Sequence, residues 1–162
     1  MNNEEVIKML NADITGEIEA ILTYLRHQFV CGVCEISHTM EETAMDEMRH
    51  VEWLSETVVD LGGIPTIEHA ELHLEGEDLP AMLKRDVGLE ESAIKQYEEH
   101  IDAITDPKIR RLLKKIMNEE IEHQEEFSEK LHELSFIGEE SKQEINEKPE
   151  LTVGSLKEGG DK

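Results

Sequence analysis

The chain repeats a pattern of potential ligand residues after an interval of 73 residues. In the first copy, Glu17 is followed thirty residues later by an E-x-x-H motif, Glu47 with His50. Matching apolar residues surround both copies, so the repeat favours a fold made of two similar halves, each with two helices. The six repeated residues are Glu17, Glu47 and His50 in the first half and Glu90, Glu120 and His123 in the second.

Four segments carry apolar side chains at intervals of three and four residues, which is the period of an amphipathic helix. Short turns join the first helix to the second and the third to the fourth, so each pair is antiparallel. The connector between the pairs is long enough to run the length of the bundle. We predict an all-α antiparallel four-helix bundle with a long crossover over residues 1–135, with helices at 4–30, 36–61, 80–105 and 107 to about 134.

The four repeated glutamates lie on the apolar stripes of their helices, where a free carboxylate is costly. Burying one unpaired carboxylate costs several kcal/mol, on the order of 20 kcal/mol in the idealised limit. No Lys or Arg shares these stripes, whereas two divalent cations would balance four carboxylates, with each histidine as a neutral nitrogen ligand. Hard oxygen ligands with one imidazole per metal favour iron or manganese over copper. We expect the E-x-x-H glutamates, Glu47 and Glu120, to bridge the metals and Glu17 and Glu90 to be terminal ligands.

Charge and hydropathy limit the other functions of the chain. A formal charge of −23 leaves no basic face for nucleic acid. No apolar run approaches the roughly 18 residues that a membrane span needs, and the N-terminal residues lack the basic and apolar regions of a signal peptide. We therefore expect a cytoplasmic protein that binds neither nucleic acid nor membranes.

With this set of motifs, most of residues 5–134 resemble bacterioferritin, within the ferritin-like superfamily. The resemblance implies that the six repeated residues are ferroxidase ligands for two iron ions, which it favours over manganese, and that Tyr24 is the tyrosine beside the centre. The implied reaction oxidises Fe(II) with O₂ or peroxide, and the ferric product is mineralised for iron storage or detoxification. The stretches that carry the resemblance, in family order, are 16–24, 46–50, 61–65 and 76–78.

Met48 occupies the position at which that family places an axial methionine for haem. The resemblance implies that Met48 from each of two subunits could hold one haem b, and hence a homodimer or a higher homo-oligomer. A methionine on an amphipathic helix is more often a packing residue, so haem is a weaker expectation than the two irons.

The pattern stops after Leu134, and residues 136–162 are predicted to be a flexible tail. An apolar patch at 151–156, with the sequence LTVGSL, resembles the cargo-loading peptide of encapsulin partners. The family's fifth helix has no counterpart here, which favours a dimer or small oligomer inside an encapsulin nanocompartment over a self-assembled cage. The implied partner is an encapsulin shell protein, and the residues that would anchor the peptide are Leu151, Val153 and Leu156.

Two other functions use the same ligands. A rubrerythrin-like peroxidase normally has a glutamate three residues after the third helix's ligand, where this chain has Ala93, and two C-x-x-C pairs, where this chain has one. A manganese catalase is a weaker variant, and a non-catalytic module that delivers iron or haem is the second alternative.

The single C-x-x-C pair, Cys31 and Cys34, could be redox-active or supply two of the four ligands of a metal site shared by two chains.

Of the six other histidines, two recur in the repeat and two lie in the connector. His27 and His100 recur at matching positions ten residues after the leading glutamates. That distance is nearly three helical turns, so we expect them beside the ligands or on the surface. His69 and His73 lie in the connector, where the pattern assigns them no role.

Overall fold

The computed structural model describes residues 1–74 and 78–146, with side chains described as far as residue 135. The described residues form four helices and no strand, so the predicted all-α four-helix bundle is confirmed. None of the described helices is both long and apolar enough to cross a bilayer. The helices are α1 (Asn3–Val30), α2 (Cys34–Asp60), α3 (Leu79–Ala103) and α4 (Pro107–Asn146).

Side-chain caps mark three of the four helix starts. The side chain of Asn2 accepts a hydrogen bond from the Glu5 amide, and this pair forms a capping box at the start of α1. Asp78 caps α3, and Asp106 accepts a hydrogen bond from the Lys108 amide at the start of α4. These ends lie within two residues of the predicted ones.

The end of α4 differs from the prediction. Its backbone is helical to Asn146, so the predicted end near Leu134 is wrong. The residues after Leu134 include several charged helix formers but continue no clear apolar stripe. The apolar periodicity therefore did not predict a helix beyond Leu134. The predicted peptide at 151–156 lies outside the described residues.

The helix directions follow from side chains that contact each other across the bundle. Asp13 and His27 of α1 contact His100 and Asp86 of α3, in reverse order along the two helices. The helices α1 and α3 are therefore antiparallel, as are α1 and α2 within their hairpin. It follows that α2 and α3 point the same way, and the connector must cover the bundle length, as predicted.

A layer of buried polar side chains divides the core into two apolar clusters. Each helix contributes to both clusters and places its repeated glutamate between them, so the layer lies at one height in the bundle. The fully buried members of the first cluster include Leu10, Leu54, Leu113 and Ile116. Those of the second include Tyr24, Met40, Leu83 and Phe127.

Candidate metal centre

The six predicted ligand residues lie together in the polar layer. Glu47 and His50 are completely buried, and each of the other four exposes less than a tenth of its surface. Their potential ligand atoms fall into two groups, and within each group all ligand atoms lie within 4.8 Å of one another. The first group is Glu17, Glu47, His50 and Glu120, and the second is Glu47, Glu90, Glu120 and His123.

Two glutamates belong to both groups, and each histidine faces both of them through Nδ1. The Nδ1 atom of His50 lies 2.7 Å from Glu47 Oε2 and 2.9 Å from Glu120 Oε1. The Nδ1 atom of His123 lies 3.2 Å from Glu47 Oε1 and 3.5 Å from Glu120 Oε2. This is the arrangement expected when two shared carboxylates lie between two neighbouring cation positions.

The donor set fits a pair of divalent cations. Three of its buried atoms have no hydrogen-bond partner among the described residues: Glu47 Oε1, Glu120 Oε1 and His123 Nδ1. Buried polar atoms in folded proteins nearly always have a partner. Cations between the two groups would bind all three atoms and would offset the carboxylate charge. Oxygen-rich ligands with one imidazole per position suit iron or manganese.

Each histidine is oriented from its other side by a carboxylate of the opposite half. His50 Nε2 lies 2.9 Å from Glu119 Oε2, and His123 Nε2 lies 3.4 Å from Asp46 Oδ2. Such contacts fix which ring nitrogen faces the metal. Sequence reasoning missed both carboxylates. The available signal was that an acidic residue directly precedes each E-x-x-H glutamate.

Two tyrosines hold the remaining glutamates, and each does so across the repeat. The Tyr24 hydroxyl donates a hydrogen bond to Glu90 Oε1, and the Tyr97 hydroxyl donates one to Glu17 Oε1. Tyr24 was predicted to lie beside the centre. Tyr97 was not assigned a role, although it is the repeat counterpart of Tyr24.

The histidines that follow the tyrosines also pair across the repeat. His27 Nδ1 lies 2.7 Å from Asp86 Oδ1, and both side chains are buried. His100 Nδ1 lies 2.8 Å from Asp13 Oδ1. Neither histidine belongs to a ligand group. Both therefore lie near the centre rather than within it, and the alternative of a surface position is wrong for His27.

With this geometry established, the comparison with known proteins identifies the family. Residues 7–137 match the profile described as "Ferritin-like domain". The chain belongs to the ferritin-like family.

Similar proteins include bacterioferritins. One from Desulfovibrio desulfuricans is 29% identical over 125 residues, which cover 74% of this chain and 70% of the relative. A bacterioferritin from Mycobacterium leprae is 27% identical over 142 residues, covering 84% and 89%. A bacterial ferritin from Paramagnetospirillum magnetotacticum is 30% identical over 108 residues, covering 65% and 66%.

In the metal-free ferritin-like site, protons and ion pairs offset the carboxylate charge. Burial raises the pKa of Glu17 and Glu90 well above the usual range, and the charges of Glu47 and Glu120 raise both further. Burial lowers the pKa of His123, but the neighbouring carboxylates of Glu120 and Glu47 outweigh it and raise that pKa to about 10.

The pKa values of His50 and Glu120 shift in opposite directions. Burial lowers the pKa of His50, but the close carboxylates of Glu120, Glu17 and Glu47 outweigh it and raise the pKa well above its ordinary value. Burial raises the pKa of Glu120, whereas the two neighbouring histidines lower it to about 2. These shifts favour a carboxylate at Glu120 and imidazolium cations at the two histidines.

The remaining candidate residues lie away from the ligand groups. Met48 is on α2 with 58% of its surface exposed. Cys31 and Cys34 are free thiols at the turn between α1 and α2. His69 and His73 are exposed in the connector. None of these five residues belongs to either group of ligand atoms.

Proposed function

We propose that this ferritin-like protein is a di-iron ferroxidase that oxidises Fe(II) to Fe(III) for iron storage or detoxification. The observation that carries the proposal is the pair of ligand groups that share Glu47 and Glu120. The similarity to bacterioferritins supports it. Two iron ions at this site would supply the redox chemistry, in which each Fe(II) gives one electron to O₂ or peroxide.

The side chains would bind the ions in two ways, as bridging and as terminal ligands. Glu47 and Glu120 would bridge the two positions, because each contacts both histidines. Glu17 and Glu90 would each bind one ion, with a tyrosine hydroxyl fixing one carboxylate oxygen. The surrounding apolar clusters exclude bulk water from the layer. Low local polarity strengthens the attraction between carboxylates and cations.

Anaerobic loading with Fe(II), followed by addition of O₂, tests the proposal. We expect ferric absorbance to develop in the wild-type protein and its rate to fall more than about tenfold in Glu47→Gln. Glu52→Gln on the exposed surface of the same helix is the matched control. Equal rates in the two variants would contradict the proposal.

The same preparations separate the alternatives. A rubrerythrin-like peroxidase would turn over peroxide with Fe(II) much faster than O₂ and would not accumulate ferric mineral. A manganese catalase would release O₂ from peroxide when loaded with Mn²⁺. A module that only delivers iron or haem would show no steady Fe(II) oxidation above that of Glu47→Gln.

We also propose that the tail delivers the protein to an encapsulin shell in the cytoplasm. The support is the sequence LTVGSL at 151–156, an apolar segment in a polar tail that suits docking as an extended peptide. Deleting 150–162 should leave Fe(II) oxidation intact and prevent co-purification with a co-expressed shell protein. Replacing Leu151, Val153 and Leu156 with alanine should do the same, and retained co-purification would refute the assignment.

Haem b is a separate proposal that depends on a homodimer or a higher homo-oligomer. The exposed thioether of Met48 is available to a second subunit. Haem added to the purified protein should give the spectrum of a bis-methionine haem at one haem per two chains. Met48→Leu should abolish that spectrum, and an unchanged spectrum would exclude the site.

A further inference from the structure

Two free thiols lie at the turn between α1 and α2, at one end of the bundle. Cys31 follows the last residue of α1, and Cys34 is the first residue of α2. Cys34 is exposed and Cys31 is partly exposed. Gly32 between them has a φ of 71°, in the left-handed region that favours glycine, and it lets the chain reverse direction within this short turn. One turn of the chain therefore presents both thiols at the surface.

Hydrogen bonds hold the backbone of this turn in place. The Cys31 amide donates to the His27 carbonyl oxygen at 2.9 Å, which continues the helical pattern of α1. The Ser37 hydroxyl on α2 donates to the Gln28 carbonyl oxygen on α1 at 3.0 Å and so ties the two helix ends together. The Cys31 thiol donates to the carbonyl oxygens of Val33 and Gln28, at 3.5 and 3.7 Å. The two cysteines are therefore carried by a backbone that is already positioned.

The residues around the thiols are apolar and uncharged. Phe29, Val30 and Val33 expose 80%, 42% and 39% of their surfaces. Residues 28–34 include no Asp, Glu, Lys or Arg, although such residues make up 34% of the chain. With a net charge of −23, two copies of the chain repel each other over most of their surface. At this turn they can approach with little repulsion, and they would bury the apolar side chains against each other.

The thiol pair supplies half of the ligand set of a tetrahedral metal. Two cysteines three residues apart have the spacing found in structural zinc sites, and such a site takes four ligands. Neither Cys31 nor Cys34 belongs to a group of three or more potential ligands among the described residues. The described part of one chain therefore does not complete the site, but the same turn of a second copy would. Two copies related by a twofold axis through the metal would each fill one edge of the tetrahedron, with Zn–S distances of about 2.3 Å.

We propose that Cys31 and Cys34 from two copies of this chain bind one Zn²⁺ through four thiolates and so link two bundles at this turn. Thiolate sulfur favours zinc over the hard cations that suit the carboxylate-rich centre. Each thiol loses its proton when the metal binds. The site is independent of the proposed function, because Cys31 lies 14 residues after Glu17 along α1, about 21 Å at the rise of a helix.

Anaerobic Co²⁺ titration of the reduced full-length protein tests this proposal. Co²⁺ adopts the tetrahedral geometry of Zn²⁺ and gives intense sulfur-to-metal charge-transfer bands with thiolate ligands. We expect these bands in the wild-type protein, with one Co²⁺ bound per two chains beyond the number bound by the double variant Cys31→Ser with Cys34→Ser. Zn²⁺ should displace this ion. Co²⁺ at the two-metal centre has only oxygen and imidazole ligands and gives no such bands, so a failure here does not bear on that centre.

Sedimentation with Zn²⁺ tests the link between copies. We expect the sedimenting mass of the wild-type protein to rise with Zn²⁺ and to return to its starting value after a chelator is added. Anomalous diffraction at the zinc edge should place one ion between two α1–α2 turns, on a twofold axis.

Single substitutions separate the ligands from the surrounding surface. Cys34→Ser, at an exposed position, should reduce the charge-transfer intensity by at least about half, because two of the four sulfur ligands are lost. Met45→Ser is the matched control, since it removes a 57% exposed sulfur from the same helix and should change neither readout. Phe29→Asp keeps both thiols but places like charges at the contact, and it should weaken the Zn²⁺-linked pairing at least about tenfold.

Three results would overturn the shared zinc site. The first is the absence of sulfur-to-metal bands in the reduced wild-type protein. The second is saturation of those bands at one Co²⁺ per chain, which would mean that a second copy is not needed. The third is unchanged Zn²⁺-linked sedimentation in Cys34→Ser or in Phe29→Asp.

Discussion

Loading the centre with two divalent cations should release protons, and metal affinity should therefore rise with pH. The pKa values of His50 and His123 are raised by their glutamate neighbours, and that of His123 reaches about 10. The pKa values of Glu17 and Glu90 are raised by burial. These groups hold protons in the metal-free protein near neutral pH, and each must lose its proton to bind a metal.

The size of the effect follows from the number of protons. Each proton released changes the binding free energy by about 1.4 kcal/mol per pH unit. The two histidines alone give about 2.8 kcal/mol per pH unit for loading both positions, and four groups give about 5.6 kcal/mol. Lowering the pH from about 7 to about 6 should thus weaken combined binding by between about 100-fold and about 10,000-fold.

Anaerobic calorimetry with Mn²⁺ measures this release directly. The apparent enthalpy in buffers of different ionisation enthalpy gives the number of protons, which we expect to be between two and four. Glu90→Gln, in which a neutral amide replaces a group that titrates, should release fewer protons than the wild-type protein. Release of fewer than two protons, or an affinity that is flat between pH 6 and 7, would refute the assignment of protonated histidines.

Three further predictions concern single side chains. Tyr24→Phe removes the hydrogen bond to Glu90 and should destabilise the metal-free protein by about 1–3 kcal/mol, or roughly 2–12 °C in thermal melting; an unchanged melting point would contradict the contact. Gly63→Ala would place a Cβ 2.9–3.0 Å from neighbouring side chains and should cost about 1–3 kcal/mol in chemical denaturation, whereas no loss would show that the connector can move away. Glu119→Gln should weaken Mn²⁺ binding by about 10–100-fold, because it loosens the orientation of His50, and unchanged affinity would count against that role.

The bundle and the grouping of the six candidate ligands could be predicted from the sequence because both depend on patterns within single helices. The glutamates lie on apolar helical stripes, and the E-x-x-H spacing places Glu47 and His50 on one helix face. A buried carboxylate on such a stripe requires a partner, and the repeat supplied the other half of the set. Helix direction followed from turn lengths alone.

The groups around the ligands could not be predicted in the same way. Asp46 contacts a histidine of α4, and Glu119 contacts one of α2. Each pairing depends on how two helices pack rather than on spacing within one helix. The identity of Asp13 and Asp86 across the repeat was visible in the sequence. What it could not show is that Asp13 lines a cavity while Asp86 does not.

The exchanged tyrosine contacts have a consequence for how this architecture could arise. Tyr24 donates a hydrogen bond to Glu90 of the other hairpin, and Tyr97 donates one to Glu17. An isolated hairpin would leave its tyrosine hydroxyl and its glutamate without these hydrogen-bond partners. In a dimer of two identical hairpins related by a twofold axis, each tyrosine would bond to the glutamate of the other copy. Fusion of such a pair through the connector preserves the bonds and releases each copy from the requirement of identity. The His27 side chain is buried, whereas that of His100 is partly exposed. A fused chain permits this kind of divergence between its halves.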